Sequence, residues 1–253
     1  MSPLRVDLLS LFPGMFAPVL GESILGRALA RRIVEINTID IRDFADGKHR
    51  VADDSPYGGG AGMVMKAEPI VRAIEAVVGD EGGAPEGRTI ALLSAGGRPF
   101  DQALAARLAS ARHLVLVAGR YEGVDERVCD YVDLELSIGD YVLTGGELPA
   151  MVVVDAVVRL LDGALGNHES AVLESHVQHR LEHPQYTRPP EFAGARVPPV
   201  LTSGHHERIG EWRALESLRR TLARRPELLW RRPLDAEEVA MLRRLARRGG
   251  SGR

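Results

Sequence analysis

The chain has 253 residues, 45% hydrophobic and 26% charged, with a formal net charge of −3, and this length can bury one large core or two smaller ones. No apolar run approaches the roughly 18 residues of a membrane span and no leader-like pattern opens the sequence, so we expect a cytoplasmic protein without membrane contact. Cys129 is the sole cysteine, which excludes an internal disulfide and a cysteine-based metal cluster.

Short, partly β-branched apolar runs alternate with helical patterns along the first 161 residues. The runs predict strands at residues 4–12, 33–41, 89–94 and 113–118. The helical patterns cover residues 16–32, 69–78, 101–110 and 149–161, and Asp101 is a candidate N-cap. This alternation predicts an α/β domain with a mostly parallel sheet. By itself it favours an open doubly wound sheet, because knotted chains are rare.

The remaining third of the chain differs in composition. Residues 162–182 show no sustained period and predict a flexible linker between a domain at 1–161 and another at 183–253. A proline-rich stretch follows, and then two helical patterns, the second opening on Asp235 with Glu238 at capping-box spacing.

Charge is distributed unevenly between the two parts of the sequence. From Gln178 onward there are sixteen arginines against nine acidic residues, so this part is basic although the whole chain is acidic. Such a surface could neutralise phosphates of a nucleic acid, and it could equally be an ordinary solvated helical face. The arginine pairs are Arg219–Arg220, Arg224–Arg225, Arg231–Arg232, Arg243–Arg244 and Arg247–Arg248.

Glycine-rich segments carry the strongest local signals. Residues 55–63 hold four glycines within five positions, and glycine allows a ligand to approach the backbone closely. This segment lacks the ending of a phosphate-binding P-loop, so a nucleotide triphosphatase fits poorly, and a plain surface loop is the alternative. Three more glycine turns, at residues 93–97, 118–123 and 138–147, follow predicted strands or apolar segments. Because ligands of parallel α/β sheets bind beyond the carboxyl ends of strands, these turns predict one small-molecule crevice.

Four of these signatures together resemble bacterial tRNA (guanine-N1)-methyltransferases of the trefoil-knot type. They are the loop at 58–63, residues 119–127, residues 138–151 and the segment 184–189, in the right order and with the right gaps. The resemblance implies an α/β parallel-sheet trefoil-knot domain, a flexible linker, a small all-helical C-terminal domain that binds tRNA, and a homodimer. It also implies S-adenosylmethionine as the methyl donor and Mg²⁺ as an accessory ion.

The resemblance assigns site residues at matching positions. For the cofactor these are Leu93, Ser94, Ala95, Gly119, Tyr121, Glu122, Gly123, Ile138, Gly139, Asp140, Tyr141, Val142, Leu143, Gly145, Gly146 and Pro149. For the substrate guanosine they are Tyr57, Gly58, Gly59, Gly60, Gly62 and Met63. The chain departs from the family pattern at Ala61, where proline is common, and at Ala95-Gly96, where Pro-Gln is common.

Two residues are candidates for the chemistry. Methyl transfer to guanine N1 requires removal of the N1 proton and stabilisation of the charge that builds on O6. The resemblance gives the second task to Arg159, although Arg159 could instead pair with Asp155 one helical turn earlier. It gives the first task to Glu174, where the family has aspartate. Other candidate bases are Asp162, Glu169, His168, His176, His179 and His183.

Four histidines within residues 168–183 also raise the question of a metal site. Their spacing does not follow the metalloprotease pattern and no cysteine assists them, so we expect no metal there. The resemblance makes methylation of N1 of guanosine 37 in tRNA, the base 3′ of the anticodon, the leading hypothesis. The alternatives are a knotted tRNA-binding protein with weak or lost transfer, and a ribose 2′-O-methyltransferase of the same fold.

Overall fold

The computed structural model describes residues 2–79, 87–165 and 174–249. The chain forms two compact units, Met1–His168 and Glu169–Arg253, and each is described by itself. Within the described ranges no helix is long and apolar enough to cross a membrane.

A five-stranded parallel sheet forms the centre of the first unit, with strand order β2-β1-β6-β5-β7. The strands in chain order are β1 (Leu4–Ser10), β2 (Val34–Asp40), β3 (Asp53–Asp54), β4 (Val64–Met65), β5 (Arg88–Pro99), β6 (His113–Ala118) and β7 (Leu134–Ser137). The short β3 and β4 form a separate antiparallel pair. The four predicted strands and their parallel arrangement are confirmed. Strand β7 was not predicted, because four residues are too short to establish a period.

The helices of the first unit are α1 (Ala17–Leu20), α2 (Ser23–Ala30), α3 (Ala67–Val78), α4 (Gln102–Ala109) and α5 (Glu147–Val158). The prediction of one continuous helix over 16–32 is wrong. Glu22 is extended and Ser23 has a positive φ of 52°, so the chain breaks between α1 and α2. The Asp101 cap is confirmed, since its carboxylate accepts a hydrogen bond of 2.9 Å from the Leu104 amide.

Apolar side chains fill both faces of the sheet and form two separate cores. One contains Leu8, Leu116 and Leu136 of the strands with Val153 and Val157 of α5. The other contains different residues of the same strands, such as Leu9 and Val117, with Ile70 and Ile74 of α3. Because both faces are covered, the strands read as continuous apolar runs rather than as alternating patterns.

One carboxylate, that of Asp7, is completely buried in the middle of β1. It accepts hydrogen bonds of 2.7 Å from Asn37 Nδ2 and pairs with His113 Nε2 at 2.7 Å and with Arg5 at 2.9 Å. Burial by itself raises the pKa of Asp7, but the bonds to His113 and Asn37 and the charge of Arg5 outweigh it, so its pKa lies below the ordinary value. The ionised form is thus the one that the fold stabilises.

We expect Asp7→Asn to lower the free energy of unfolding by about 3 kcal/mol at pH 7, because it leaves a buried cluster without its central charge. A carboxylate whose pKa is lowered by folding stabilises the folded state above its unfolded-state pKa of about 4, and this contribution is lost as the pH falls further. The difference in free energy of unfolding between wild type and variant, measured by urea denaturation, should therefore narrow below about pH 4. Asp130→Asn, at an exposed position, is the control, and a gap independent of pH would contradict the assignment.

The second unit contains helices α6 (His206–Arg224) and α7 (Ala236–Gly249) and a short hairpin of β8 (Glu191–Phe192) and β9 (Ala195–Arg196). The predicted helical C-terminal unit is confirmed, and the hairpin is an addition that was not predicted. The capping box is also confirmed: Asp235 Oδ1 accepts from the Glu238 amide at 2.8 Å, and Glu238 Oε2 accepts from the Asp235 amide at 3.1 Å.

Residues 174–182, within the predicted linker, are bonded to this second unit. The Leu181 amide donates to Thr221 Oγ1 at 2.9 Å, and Ser217 Oγ donates to the Leu181 carbonyl at 2.6 Å, which fixes the segment along α6. Arg180 pairs with Glu238 at 3.3 Å. That residues 162–182 act as a flexible linker stays a prediction, and residues 166–173 lie outside the described ranges.

Candidate functional site

A cavity of about 410 Å³ lies at the carboxyl ends of β5, β6 and β7, within the size range of small-molecule sites. Its walls come from the three glycine turns that follow these strands. All of the predicted cofactor residues line it except Asp140. The crevice predicted from the turns is therefore present in the fold, while the role of each residue stays a prediction.

The second turn, residues 119–123, is held in an uncommon backbone conformation. Tyr121 has a positive φ of 63° and Gly123 one of 131°. Strain of this kind in a residue other than glycine occurs preferentially at ligand sites. The turn is fixed by the segment beside it, since the Glu122 amide donates to the Met63 carbonyl and the Met65 amide donates to the Gly123 carbonyl, each at 3.0 Å.

These two hydrogen bonds place the glycine loop of residues 55–63 beside the cavity. Gly62 has a φ of 86°, and a Cβ at this position would overlap the carboxyl group of Glu122. Tyr57, at the other end of the loop, is fully exposed. The loop thus lies beside the cavity at Gly62, and Tyr57 is accessible to a ligand. Spacing along the sequence did not predict the contact between Gly62 and Glu122.

The third turn packs against the second through glycines that cannot carry a side chain. A Cβ on Gly146 would lie 2.7 Å from Ala118 Cα and 3.0 Å from the Gly119 nitrogen, both backbone atoms. The Gly146 amide donates to the Gly119 carbonyl at 2.8 Å. A Cβ on Gly139 would lie 2.5 Å from the Tyr141 ring. Close backbone approach therefore explains glycine at position 146, whereas the positive φ of 149° favours glycine at position 139.

An ion pair that sequence analysis missed connects the second and third turns at the wall of the cavity. Glu147 is buried, accepts from Ser10 Oγ at 2.7 Å, and lies 3.1 Å from Arg120 Nε. Arg120 also donates to the Thr144 carbonyl at 3.3 Å, and its guanidinium stacks 4.4 Å above the Phe12 ring. A buried carboxylate of this kind requires its partner, so the pair fixes the second and third turns relative to β1.

Acidic side chains give the cavity its electrostatic character. Glu122, Glu126 and Glu135 line it together with Cys129. Burial, followed by the charges of Glu135 and Glu126, raises the pKa of the Cys129 thiol, so it stays protonated at neutral pH. Among the described residues, three carboxylates and one guanidinium, that of Arg120, line the cavity, and this excess of negative charge favours a ligand that carries positive charge.

The candidate catalytic residues fall in different units. Arg159 follows the last residue of α5 in the first unit, and its amide bonds to the Asp155 carbonyl at 3.2 Å. Glu174 belongs to the second unit and is half-buried. Among the alternative bases, burial lowers the pKa of His176, and the charges of Arg225 and Arg231 lower it further, so its ring is neutral at neutral pH. Glu169 and His168 lie outside the described ranges.

The basic surface of the second unit is smaller than the arginine count indicates. Arg219 pairs with Glu216 at 2.6 Å, and Arg225 and Arg232 pair with Glu227 and Glu238. Arg224 and Arg243 are exposed. In the described part of the chain, no three His, Cys, Asp or Glu side chains are grouped to hold a metal ion.

The turns that follow three parallel strands enclose one acidic cavity. This arrangement defines a ligand-binding α/β protein. The family model for tRNA (Guanine-1)-methyltransferase TrmD matches residues 4–231. Proteins named tRNA (guanine-N(1)-)-methyltransferase are similar to this chain along almost their whole length. The relative from Anaeromyxobacter sp. (strain K) is 56% identical over 244 residues, covering 96% of this chain and 97% of the relative. The relative from Geobacillus kaustophilus is 54% identical over 241 residues, covering 95% and 97%.

The chain belongs to the tRNA (guanine-1)-methyltransferase family. Its first unit has the knotted α/β fold of that family. The open doubly wound sheet, which the strand pattern alone favoured, is therefore wrong. Short-range patterns give the strand directions, but they carry no information on how the turns pass one another.

Proposed function

We propose that the protein transfers a methyl group from S-adenosylmethionine to N1 of guanosine 37 in tRNA. The observation that carries this proposal is the cavity of the three glycine turns in a chain about 55% identical to tRNA (guanine-N(1)-)-methyltransferases along nearly its full length. Family membership supplies the reaction class, and the cavity supplies a place for the methyl donor.

The cavity has the chemistry that S-adenosylmethionine requires. Leu93, Ile138 and Pro149 offer apolar surface, and the carboxylates of Glu122, Glu126 and Glu135 suit a ligand with a sulfonium and an ammonium group. Gly146 lets the third turn approach the backbone of the second turn closely, and this contact shapes the wall of the cavity. When bound, the cofactor supplies an electrophilic methyl group.

The remaining tasks fall to side chains of this protein. Glu174 accepts the proton that leaves guanine N1 as the N–CH₃ bond forms and the S–CH₃ bond of the donor breaks, which leaves a neutral thioether. Arg159 donates hydrogen bonds to O6 while negative charge builds there. The loop with Tyr57 and Gly58–Gly60 holds the guanine, because it adjoins the second turn through Gly62 and Glu122. Alignment of the methyl group and N1 is the main catalytic contribution expected of the fold.

The same proposal includes a homodimer. Exposed apolar side chains occur close to the cavity, at Leu148 and Val152 on α5 and at Phe12 and Met15 after β1. Met15 and Phe12 contact Arg120, which pairs with Glu147 in the first turn of α5. An apolar surface of this kind beside a ligand site is typical of a subunit interface.

The test is turnover of a tRNA transcript with methyl-labelled S-adenosylmethionine, followed by nucleoside analysis. We expect 1-methylguanosine, and a transcript with adenosine at position 37 should remain unlabelled. A 2′-O-methylated nucleoside would support the ribose methyltransferase instead, and tRNA binding without any product would support a binding protein. Adding Mg²⁺ or a chelator to the same assay measures whether the reaction depends on the accessory ion.

A further inference from the structure

The second unit contains a groove of about 960 Å³ that none of the proposed catalytic steps uses. It lies between the proline-rich segment at residues 183–190 and helix α6, and the turn Pro199–Thr202 borders it. The apolar part of its walls is formed by Pro184, Pro190, Val197, Leu201 and Ile209. All of the residues that line this groove belong to the second unit.

The charged residues that line the groove are Arg188 and Arg213. Among the described residues no aspartate or glutamate lines it. Arg188 and Arg213 are exposed. Arginine in such a position binds phosphate in a charge-assisted, bidentate manner. The groove is therefore complementary to an anion with apolar surface.

An aromatic ring stands at the groove in a fixed orientation. Tyr186 contacts Trp212 with ring centroids 6.3 Å apart and an interplanar angle of 54°, while 48% of its surface stays exposed. His183 contacts the same indole at 6.3 Å. An exposed tyrosine held by a second aromatic residue is a stacking surface for a nucleobase.

We propose that this groove binds one unstacked nucleotide of the tRNA, with the base against Tyr186 and the phosphate toward Arg188 and Arg213. Apolar walls, an aromatic ring and two arginines are the combination that single-stranded nucleic acid requires. The inference rests on the proposed function for the identity of the partner. It goes further in assigning a nucleotide subsite to the second unit.

Trp212 allows the groove to be observed directly. The chain has two tryptophans, and Trp230 is 82% exposed, so Trp230→Phe leaves Trp212 as the single reporter. In this background of the full-length protein we expect a tRNA transcript to change the Trp212 emission. The change should saturate with the Kd that filter binding gives for the same tRNA.

Substitutions separate the stacking contribution from the charge contribution. Tyr186→Leu should weaken tRNA binding about tenfold without changing its salt dependence, and Tyr186→Phe should retain the affinity. Arg188→Ala should weaken binding and reduce the slope of log K against log salt concentration by about one. Arg208→Ala, an exposed position on α6 outside the groove lining, is the matched control and should change Kd by less than about twofold.

Unchanged tRNA affinity in both Tyr186→Leu and Arg188→Ala would overturn the proposal. A Trp212 emission that depends only on protein concentration and does not change when tRNA is added would also overturn it. If the leucine variant does not fold, as thermal melting would show, the Arg188 variant and the Trp212 signal decide. The proposed function is tested separately, by the identity of the nucleoside product. Formation of 1-methylguanosine with groove variants that bind tRNA normally refutes the groove alone, and groove-dependent binding without that product refutes the methyltransferase proposal alone.

Discussion

Glu174→Gln is expected to reduce kcat for tRNA methylation by about 10³-fold, because the amide cannot accept the N1 proton of guanine. The Kd for S-adenosylmethionine, measured by isothermal titration calorimetry, should stay unchanged, since the proposed cofactor cavity lies in the first unit and Glu174 in the second. Glu174→Asp should keep much of the activity, because it retains the carboxylate although it shortens the side chain by one methylene. Single-turnover kinetics with labelled cofactor measure the chemical step.

A second carboxylate provides the control for this experiment. Glu237 is exposed on α7 of the same unit, and Glu237→Gln should leave kcat unchanged. If Glu174→Gln retained the wild-type kcat, the proton acceptor would have to be another group. His176 would then be tested first, since its neutral ring can accept a proton.

Gly146→Ala is expected to disrupt the proposed cofactor cavity although it adds only one methyl group. The new Cβ would lie 2.7 Å from Ala118 Cα and 3.0 Å from the Gly119 nitrogen, and backbone atoms cannot move aside as a flexible side chain can. We expect the free energy of unfolding to fall by about 2–4 kcal/mol. Displacement of the third turn should also weaken S-adenosylmethionine binding at least about tenfold, which corresponds to about 1.4 kcal/mol.

The matched control is Gly14→Ala in the same unit. Gly14 has no positive φ, and a Cβ built there meets no atom within 4 Å. Urea denaturation and calorimetric titration of S-adenosylmethionine should show this variant close to wild type. Wild-type stability and affinity in Gly146→Ala would mean that the second and third turns do not depend on their close contact.

Sequence patterns predicted much of the fold because those features depend on local interactions. The four longer strands contain β-branched apolar runs, the Asp101 cap and the Asp235–Glu238 capping box act within one helical turn, and all were found. The predicted continuous helix over 16–32 failed for a related reason. Its apolar pattern persists through Glu22 and Ser23, whereas the backbone conformation there does not.

The candidate site was predicted in part. Glycine turns after parallel strands led to a cavity because the carboxyl ends of such strands lie at one edge of a sheet, and the cavity is there. The Arg120–Glu147 pair was missed. Its members are 27 residues apart, and neither residue type at that spacing predicts a contact.

By itself, the sequence determined the parallel α/β class, the glycine turns that enclose the cavity and the basic composition of the second unit, because periodicity, glycine content and charge act locally or additively. Only the tertiary structure decided that Gly62 lies against Glu122, that Gly146 packs on the backbone of β6 and the second turn, and that Tyr186 and Arg213 face one groove. These contacts join residues far apart in the chain. They form when the cores are buried and the turns pass one another, which no local pattern encodes.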